Sequence, residues 1–210
     1  MSTNSTISIK HGEGDYESVY CHWDGYPAWN GQLLYTFYDT ADKVNALLEQ
    51  GDISSLGANI GEYVPMDSFD QADQEKKYRN FQCSFYKRDR GENNVDKQHC
   101  SSLGECETQA YNYLFDETDD KWYLIENGRQ VPLKEVLIRD YNENGQFFEP
   151  SDTIYDGITV GEVCTPEQID RLAVLCKELT GYEPDYSKYK ETNEKATVKK
   201  QKTNHNIEKE

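Results

Sequence analysis

The stretch that decides the fold reads SVYCHWDGYP and occupies residues 18–27. An extended strand points successive side chains to opposite faces, which here separates an apolar set from a polar set. The apolar set comprises Val19, Cys21 and Trp23, and the polar set comprises Tyr20, His22 and Asp24. Gly25 and Pro27 end the predicted strand, because glycine permits unusual dihedral angles and proline cannot donate to a ladder. The stretch therefore predicts a strand with one buried face and one face that presents an imidazole beside a carboxylate.

The sequence predicts one further strand before this strand and two helices after it. A strand over residues 7–10 is expected to precede it. A helix over residues 30–38 is expected to follow, with Asn30 as its N-terminal cap. A second helix is expected after a cap at residues 39–40, because apolar side chains recur at helical spacing at residues 41, 44, 47 and 48, and Gly51 is expected to end it.

The middle of the chain alternates short strands with irregular connections. A strand is expected over residues 80–86, between connections at residues 52–75 and 91–104. A three-stranded meander then covers residues 111–115, 121–126 and 129–131. Its second turn, Asn127-Gly128, suits the two positive φ angles of a tight hairpin turn.

The last predicted helix has the clearest start signal. Thr165 and Gln168 form a capping box around Pro166 at the first helical position. Its buried stripe is predicted to comprise Ile169, Leu172, Ala173, Cys176 and Leu179. A short helix is also expected over residues 132–139.

These elements predict an α+β fold with a mostly antiparallel sheet and flanking helices. We expect one globular domain over residues 1–182, followed by a disordered polar tail over residues 183–210, because the tail has almost no apolar residues. No apolar run approaches the roughly 18 residues that cross a bilayer, and the N-terminus has no apolar signal core. We therefore expect a cytoplasmic protein with no membrane partner.

The net charge of −17 is unevenly distributed. The tail holds seven lysines and six acidic residues, which leaves a net charge of −18 on residues 1–182. Residues 75–90 form a basic island of +4, so the rest of the body carries −22. Such a field repels nucleic acid and attracts basic proteins. We expect a basic protein partner and no general nucleic-acid binding.

Six cysteines are compatible with three disulfides, but in a chain of this length without a secretion signal free thiols are expected. The candidate zinc ligands are Cys83, His99, Cys100 and Cys106. None of them shows the Cys-x₂-Cys spacing of structural sites, so no metal and no cofactor is expected.

Five short segments of the sequence resemble segments found together in a known group of proteins. They are residues 20–27, 33–34, 51–56, 88–92 and 121–123. With these segments the chain resembles a family of small proteins from bacteriophages and prophages. The family has no settled biochemical role, so the resemblance implies a viral or mobile-element origin, and thus action inside a host cell, without implying an activity.

His22 and Asp24 are the candidate catalytic residues. A histidine beside a carboxylate serves as a general base with an orienting partner, or as half of a metal site. The alternative is that His22 hydrogen-bonds within the turn while Asp24-Gly25 supplies the chemistry of a bend. No nucleophile or second acid lies at an interpretable spacing.

Arg88 and Arg90 are the candidate anion ligands. If the strand from residue 80 continues, both guanidinium groups share one polar face and would bind a phosphate or carboxylate. The alternative is that Asp89 and Glu92 neutralise them in an internal network. The proposed ligand-binding set comprises Tyr20, Trp23, Tyr26, Arg88, Arg90 and Glu92.

Two functions follow from these features. The first is a phage-encoded acidic accessory protein that binds a basic host protein, such as a defence nuclease, and inhibits or modulates it. The second is a binder or hydrolase of a phosphorylated metabolite or nucleotide signal, with a small anionic ligand held by Arg88 and Arg90 beside His22 and Asp24. A virion component is a third option, favoured only by the viral resemblance.

Overall fold

A computed structural model describes residues 2–190 of the chain. Contacts between residues separate two compact units, Met1–Phe148 and Glu149–Glu210. Helices account for 38% and strands for 24% of the structure, and antiparallel pairing predominates in a mixed sheet. The predicted α+β fold with a mostly antiparallel sheet is therefore confirmed.

The first unit is built on one large sheet. Its strands are β1 (Ser5–Gly12), β2 (Asp15–Cys21), β3 (Ile53–Ser55), β4 (Ser84–Phe85), β5 (Gln98–Cys100), β6 (Tyr111–Asp116), β7 (Lys121–Glu126) and β8 (Arg129–Pro132). Their order is β4-β3-β2-β1-β6-β7-β8, and β5 pairs with β2 beside β3. The pairs β1–β6 and β2–β3 are parallel. The strand β1 is therefore central, between its hairpin partner β2 and the meander that begins with β6.

The helices of this unit are mostly short. They are a π-helical turn (Pro27–Gly31), α1 (Gln32–Phe37), α2 (Ala41–Leu48), α3 (Gln71–Arg79), α4 (Tyr86–Arg90), α5 (Leu103–Cys106) and α6 (Leu133–Asn144). The helix α2 lies against β1 and β2, and α6 lies against β7 and β8. The predicted connections at 52–75 and 91–104 thus contain β3 and β5 and the beginnings of α3 and α5.

The main core lies on the face of the sheet that the sequence predicted for Val19 and Cys21. Both side chains are buried, together with Ile7, Ile9 and Phe115. Trp23, placed on the same face by the alternation, is 47% exposed. That prediction is wrong because β2 ends at Cys21, two residues before the tryptophan.

Turn and cap chemistry predicted several boundaries correctly. The helix α2 begins after Thr40, whose side chain accepts a hydrogen bond from the Lys43 N–H. Asn127 and Gly128 both have positive φ angles in the turn between β7 and β8. By contrast, Asn30 does not cap a helix, because it lies inside the π-helical turn and is buried.

The predicted strand over residues 80–86 is reduced to the two residues of β4. Residues 86–90 are helical because the buried Asp89 carboxylate accepts a hydrogen bond from the Phe85 N–H at 2.8 Å, which closes a helical turn. Gly91 ends this turn in the left-handed conformation. The extended polar face predicted to join Arg88 and Arg90 therefore does not exist.

The second unit contains β9 (Thr153–Tyr155), β10 (Ile158–Thr159), α7 (Val160–Val163) and α8 (Pro166–Thr180). The capping box at the start of α8 has both of its hydrogen bonds, and Gly181 ends the helix. Four residues of the predicted stripe are buried: Ile169, Leu172, Cys176 and Leu179.

Part of the predicted disordered tail has structure. Tyr186 is buried and residues 187–190 are helical. Residues 191–210 lie outside the described residues. The predicted domain bounds of 1–182 and 183–210 stay a prediction.

Candidate functional site

The polar face of β2 ends in a hydrogen-bonded pair. The Tyr20 hydroxyl lies 2.7 Å from Nδ1 of His22, and the Tyr20 N–H donates to the Asp52 carboxylate at 2.9 Å. Asp24 is not on this face, because its φ angle of 57° turns the chain away from the strand. Among the described residues, Tyr20 rather than Asp24 is the group that orients His22. A catalytic role for His22 and Asp24 stays a prediction.

The backbone after β2 forms a bend over residues 23–25, which we call the Trp23–Gly25 bend. Its Trp23 N–H donates to the Ser54 carbonyl at 3.1 Å, and its Gly25 N–H donates to the Thr3 carbonyl at 2.8 Å. The buried Tyr113 hydroxyl donates to the Gly25 carbonyl at 2.8 Å. The bend is thus bonded to three different segments of the unit, which makes it rigid.

Asn30 holds the same bend from the inside of the molecule. Its Nδ2 donates to the Trp23 carbonyl at 3.1 Å and to Ser5 Oγ at 3.2 Å, and also lies 3.3 Å from Cys21 Sγ. Its backbone N–H donates to the Asp24 carbonyl at 3.2 Å. Asn30 reaches the bend because it lies in the π-helical turn. Turns of this type often occur at functional positions. The sequence signals around Asn30 predict a helix cap, and they do not show that its side chain holds the bend.

Gly25 is required by a close approach of two backbones. A Cβ at this position would lie 2.7 Å from the Asn4 carbonyl carbon and 2.9 Å from the Ser5 nitrogen. Both atoms belong to the backbone and cannot move aside. The glycine therefore allows the bend to rest directly on the start of β1.

The bend presents two side chains outward. The Trp23 indole is half-exposed, and the His22 ring packs edge-on against it with 4.6 Å between centroids. Asp24 is exposed. Loss of water contact through partial burial raises the pKa of the Asp24 carboxyl, and the same carboxylate raises the pKa of Tyr26 in addition to the effect of burial. No cation within the described chain pairs with Asp24.

The Arg88 guanidinium makes its hydrogen bonds inside the protein. The guanidinium binds Asp89 in a bidentate manner, with Nε–Oδ1 and Nη2–Oδ2 distances of 2.7 and 2.9 Å. It also donates to the carbonyls of Ile60, Gly61 and Cys83. Only 17% of its side chain is exposed. The internal network predicted as the alternative for Arg88 is the arrangement that the structure shows.

Arg90 lies apart from Arg88 on the other side of the helical turn. Its Nε is 3.3 Å from Glu92 and 3.9 Å from Asp67. The side chain is 47% exposed, so these pairs lie at the surface. The two arginines therefore have separate partners, and neither contacts His22 or Asp24 through any hydrogen bond or ion pair found within residues 2–190.

A second cluster of charges was not predicted. Glu17 is buried on β2, and its carboxylate lies 2.7 Å from the Lys97 Nζ, 3.5 Å from His11 and 3.4 Å from His99. Burial alone would raise the pKa of Glu17, but Lys97 and His11 outweigh burial and lower it. Burial likewise disfavours charge on His11, and the carboxylates of Glu117 and Glu17 outweigh it and raise the His11 pKa. We call this set, with Glu117, the Glu17 cluster.

All six cysteines are buried, and they are thiols rather than disulfides, as predicted. Burial raises the pKa of Cys21 to about 12 and that of Cys83 to about 11, so both remain protonated and unreactive at neutral pH. Of the candidate zinc ligands, Cys83 receives the Gly57 N–H and His99 faces Glu17. Within residues 2–190 no three side chains of the ligand types are arranged to hold a metal.

Two surface cavities lie near the motif. One of about 310 Å³ is lined by Thr6, Ser18, Val19, Tyr20, Gln98, Glu105, Thr108 and Gln109. Another of about 390 Å³ is lined by Tyr26, Ala28, Trp29 and residues 145–148. Neither lining contains an arginine or lysine.

No protein-family model, curated protein or solved structure matches the chain. The resemblance to a bacteriophage family therefore stays a prediction. Among the described residues, no helix has both the length and the hydropathy that a bilayer-spanning segment requires.

Proposed function

We propose that the protein is a phage-encoded acidic accessory protein that binds a basic host protein and inhibits or modulates it. The first unit contains 26 acidic residues against 13 lysines and arginines. At least ten of those 13 cations lie within ion-pair distance of a carboxylate of the same unit. Most of the basic side chains are thus paired inside the unit, while the carboxylates outnumber the cations two to one and leave an excess that is available to another molecule.

The observation that carries this proposal is the contrast between paired cations and exposed, unpaired carboxylates. At one end of the sheet, Glu13 lies in the turn after β1, Asp15 begins β2 and Asp120 lies in the turn after β6. All three are exposed, and none of them has an ion pair among the described residues. The two turns lie at the same end because β1 and β6 are parallel. A surface with this excess of negative charge accelerates association with a basic protein and disfavours nucleic acid.

The alternative function, a binder or hydrolase of a phosphorylated ligand, has less support. It needs free guanidinium groups beside an imidazole, whereas the donors of Arg88 are directed at Asp89 and backbone carbonyls. His22 is paired with Tyr20 instead. We therefore retain the interaction protein as the proposal.

Affinity capture from bacterial lysate with the full chain as bait tests the proposal. We expect a basic partner in stoichiometric amount at low salt, with recovery falling as salt rises, because salt screens exposed charges. The control bait carries Glu13→Gln and Asp15→Asn, which remove unpaired charge without removing an observed ion pair. We expect this control to recover less partner than the wild-type bait.

Capture of no stoichiometric partner at low salt would contradict the proposal. Equal recovery at low and high salt would also contradict it, because the complex would then not depend on charge.

A further inference from the structure

The Trp23–Gly25 bend combines features that ordinary loops lack. Its three carbonyl groups all accept hydrogen bonds, and two of the donors, Asn30 and Tyr113, are fully buried. Asp24 nevertheless holds a left-handed φ angle that costs free energy in a non-glycine residue. Strained backbone that is held this firmly occurs preferentially at functional positions.

The side chains presented by the bend have a definite chemistry. Tryptophan offers the best aromatic face for a cation, and half of the Trp23 side chain faces solvent. Asp24 follows it directly and lacks a cationic partner among the described residues. An indole and an unpaired carboxylate on one rigid bend together favour a guanidinium or ammonium group.

We infer that the Trp23–Gly25 bend is the recognition point for an arginine or lysine side chain of the partner protein, held by the Trp23 ring and the Asp24 carboxylate. This inference rests on the proposed function, because it assigns a contact within that complex. It also gives Asn30, Gly25 and Tyr113 a common purpose: they fix the bend before the partner arrives. A preformed contact loses less conformational entropy on binding than a mobile one.

Charge complementarity identifies a basic protein side chain as the occupant. The unit around the bend has twice as many acidic as basic residues, so its net charge attracts cations. Diffuse attraction does not select a position, whereas an exposed tryptophan and arginine pair is the kind of contact that dominates binding energy at interfaces. The bend thus converts general attraction into a specific contact.

A defined probe tests the inference without a known partner. The full chain is titrated with an acetylated tri-arginine peptide and with the matching tri-citrulline peptide, which has the same shape without the charge. The indole N–H signal of Trp23, assigned through Trp23→Phe, reports contact by nuclear magnetic resonance. We expect tri-arginine to shift this signal and tri-citrulline to leave it unchanged.

Matched variants separate a local contact from diffuse charge. Asp24→Asn and Asp120→Asn remove the same charge from exposed aspartates whose φ angles are 57° and 54°. Asparagine tolerates this conformation, so both variants are expected to fold, which a thermal melt verifies. We expect Asp24→Asn and Trp23→Ala to weaken tri-arginine binding about fivefold each. Asp120→Asn, and Phe69→Ala as a matched exposed aromatic, should change it less than about twofold.

Three results would overturn the inference. They are equal binding of the citrulline peptide, equal weakening by Asp24→Asn and Asp120→Asn, and no shift at the Trp23 signal. The lysate capture distinguishes this failure from failure of the proposed function. If wild-type bait and a Trp23→Ala, Asp24→Asn bait recover the same partner equally, the bend is not the contact, although the proposed function stands. If no partner is recovered, the proposed function fails whatever the peptide does.

Discussion

Arg88 and Asp24 each follow the end of a short strand, yet the fold uses the two charges in opposite ways. The Arg88 guanidinium is surrounded by a carboxylate and three carbonyls, and little of it reaches solvent. The Asp24 carboxylate projects from a bend in which all three carbonyls and two of the three N–H groups make internal hydrogen bonds, while the side chain remains exposed. The comparison separates a charge that the fold uses internally from a charge that it leaves available to another molecule.

The largest expected effect is on the Arg88 side of this comparison. Arg88→Ala should lower the free energy of unfolding by about 3–5 kcal/mol, because it leaves the buried Asp89 carboxylate without its cation. Denaturant unfolding followed by circular dichroism measures the change.

Arg90→Ala is the matched control for Arg88→Ala. Its pairs with Glu92 and Asp67 are exposed, so the loss should stay below about 1 kcal/mol. Equal losses from the two variants would show that Arg88 is not the structural member of the pair.

Gly25→Ala tests the close backbone contact between the bend and the start of β1. The added methyl group would meet the backbone of Asn4 and Ser5, and we expect a loss of about 1–3 kcal/mol in unfolding free energy. Gly104→Ala, at a helical position with open space around a Cβ, should leave the stability unchanged or raise it by up to about 1 kcal/mol. If Gly25→Ala is as stable as Gly104→Ala, the bend is less rigid than its hydrogen bonds indicate.

The Glu17 cluster predicts a smaller effect that depends on pH. Because the folded-state pKa of His11 is raised above 6.5, its contribution to stability is complete below that value and disappears as the pH rises through the folded-state pKa. His11→Gln should therefore cost less than about 1 kcal/mol near pH 5.5 and nothing near pH 8.5, since the site is partly exposed.

Chemical unfolding of wild type and His11→Gln at both pH values measures that difference. His99→Gln is the control, because His99 lies near the same carboxylate but is far more exposed. A pH-independent loss in His11→Gln would mean that packing, not charge, supports the cluster.

The smallest expected effect completes the comparison. Asp24→Asn should change the free energy of unfolding by less than about 0.5 kcal/mol, because no internal ion pair is lost and asparagine accepts a left-handed φ angle. Thermal melts of the variant and the wild type provide the measurement. A loss comparable to that of Arg88→Ala would show that Asp24 has a structural role, and the contrast would fail.

Local signals predicted those parts of the fold that depend on a few neighbouring residues. Three features depend only on neighbouring residues: the Thr40 cap, the Asn127-Gly128 turn and the capping box at Thr165. Their local sequence was therefore sufficient to predict them. The strand over residues 80–86 was wrong for a complementary reason. Alternation there continued toward Arg90, but Asp89 bonds back to Phe85 and closes a helix. Side-chain bonds of this kind override a pattern of alternation.

The sequence predicted which residues share the polar face of β2, but not how the bend that follows is built. Tyr20 and His22 were placed on one face correctly, since alternation holds up to the end of β2. The separation of His22 from Asp24, and the role of Asn30, depend on contacts with Ser5, Ser54 and Tyr113. These partners are distant in sequence, and no spacing rule connects them to the motif.

The parallel pairing of β1 with β6 has a consequence for the way the chain acquires its shape. Lys10 and Asp116, which pair across these strands, are 106 residues apart in sequence. The β1–β2 hairpin forms from neighbouring residues, but during synthesis its other edge stays open until β6 has left the ribosome. An open edge invites pairing with other chains, and contacts between distant residues slow folding. We expect the arrival of β6, rather than formation of the hairpin, to limit how fast the newly made protein becomes safe from aggregation.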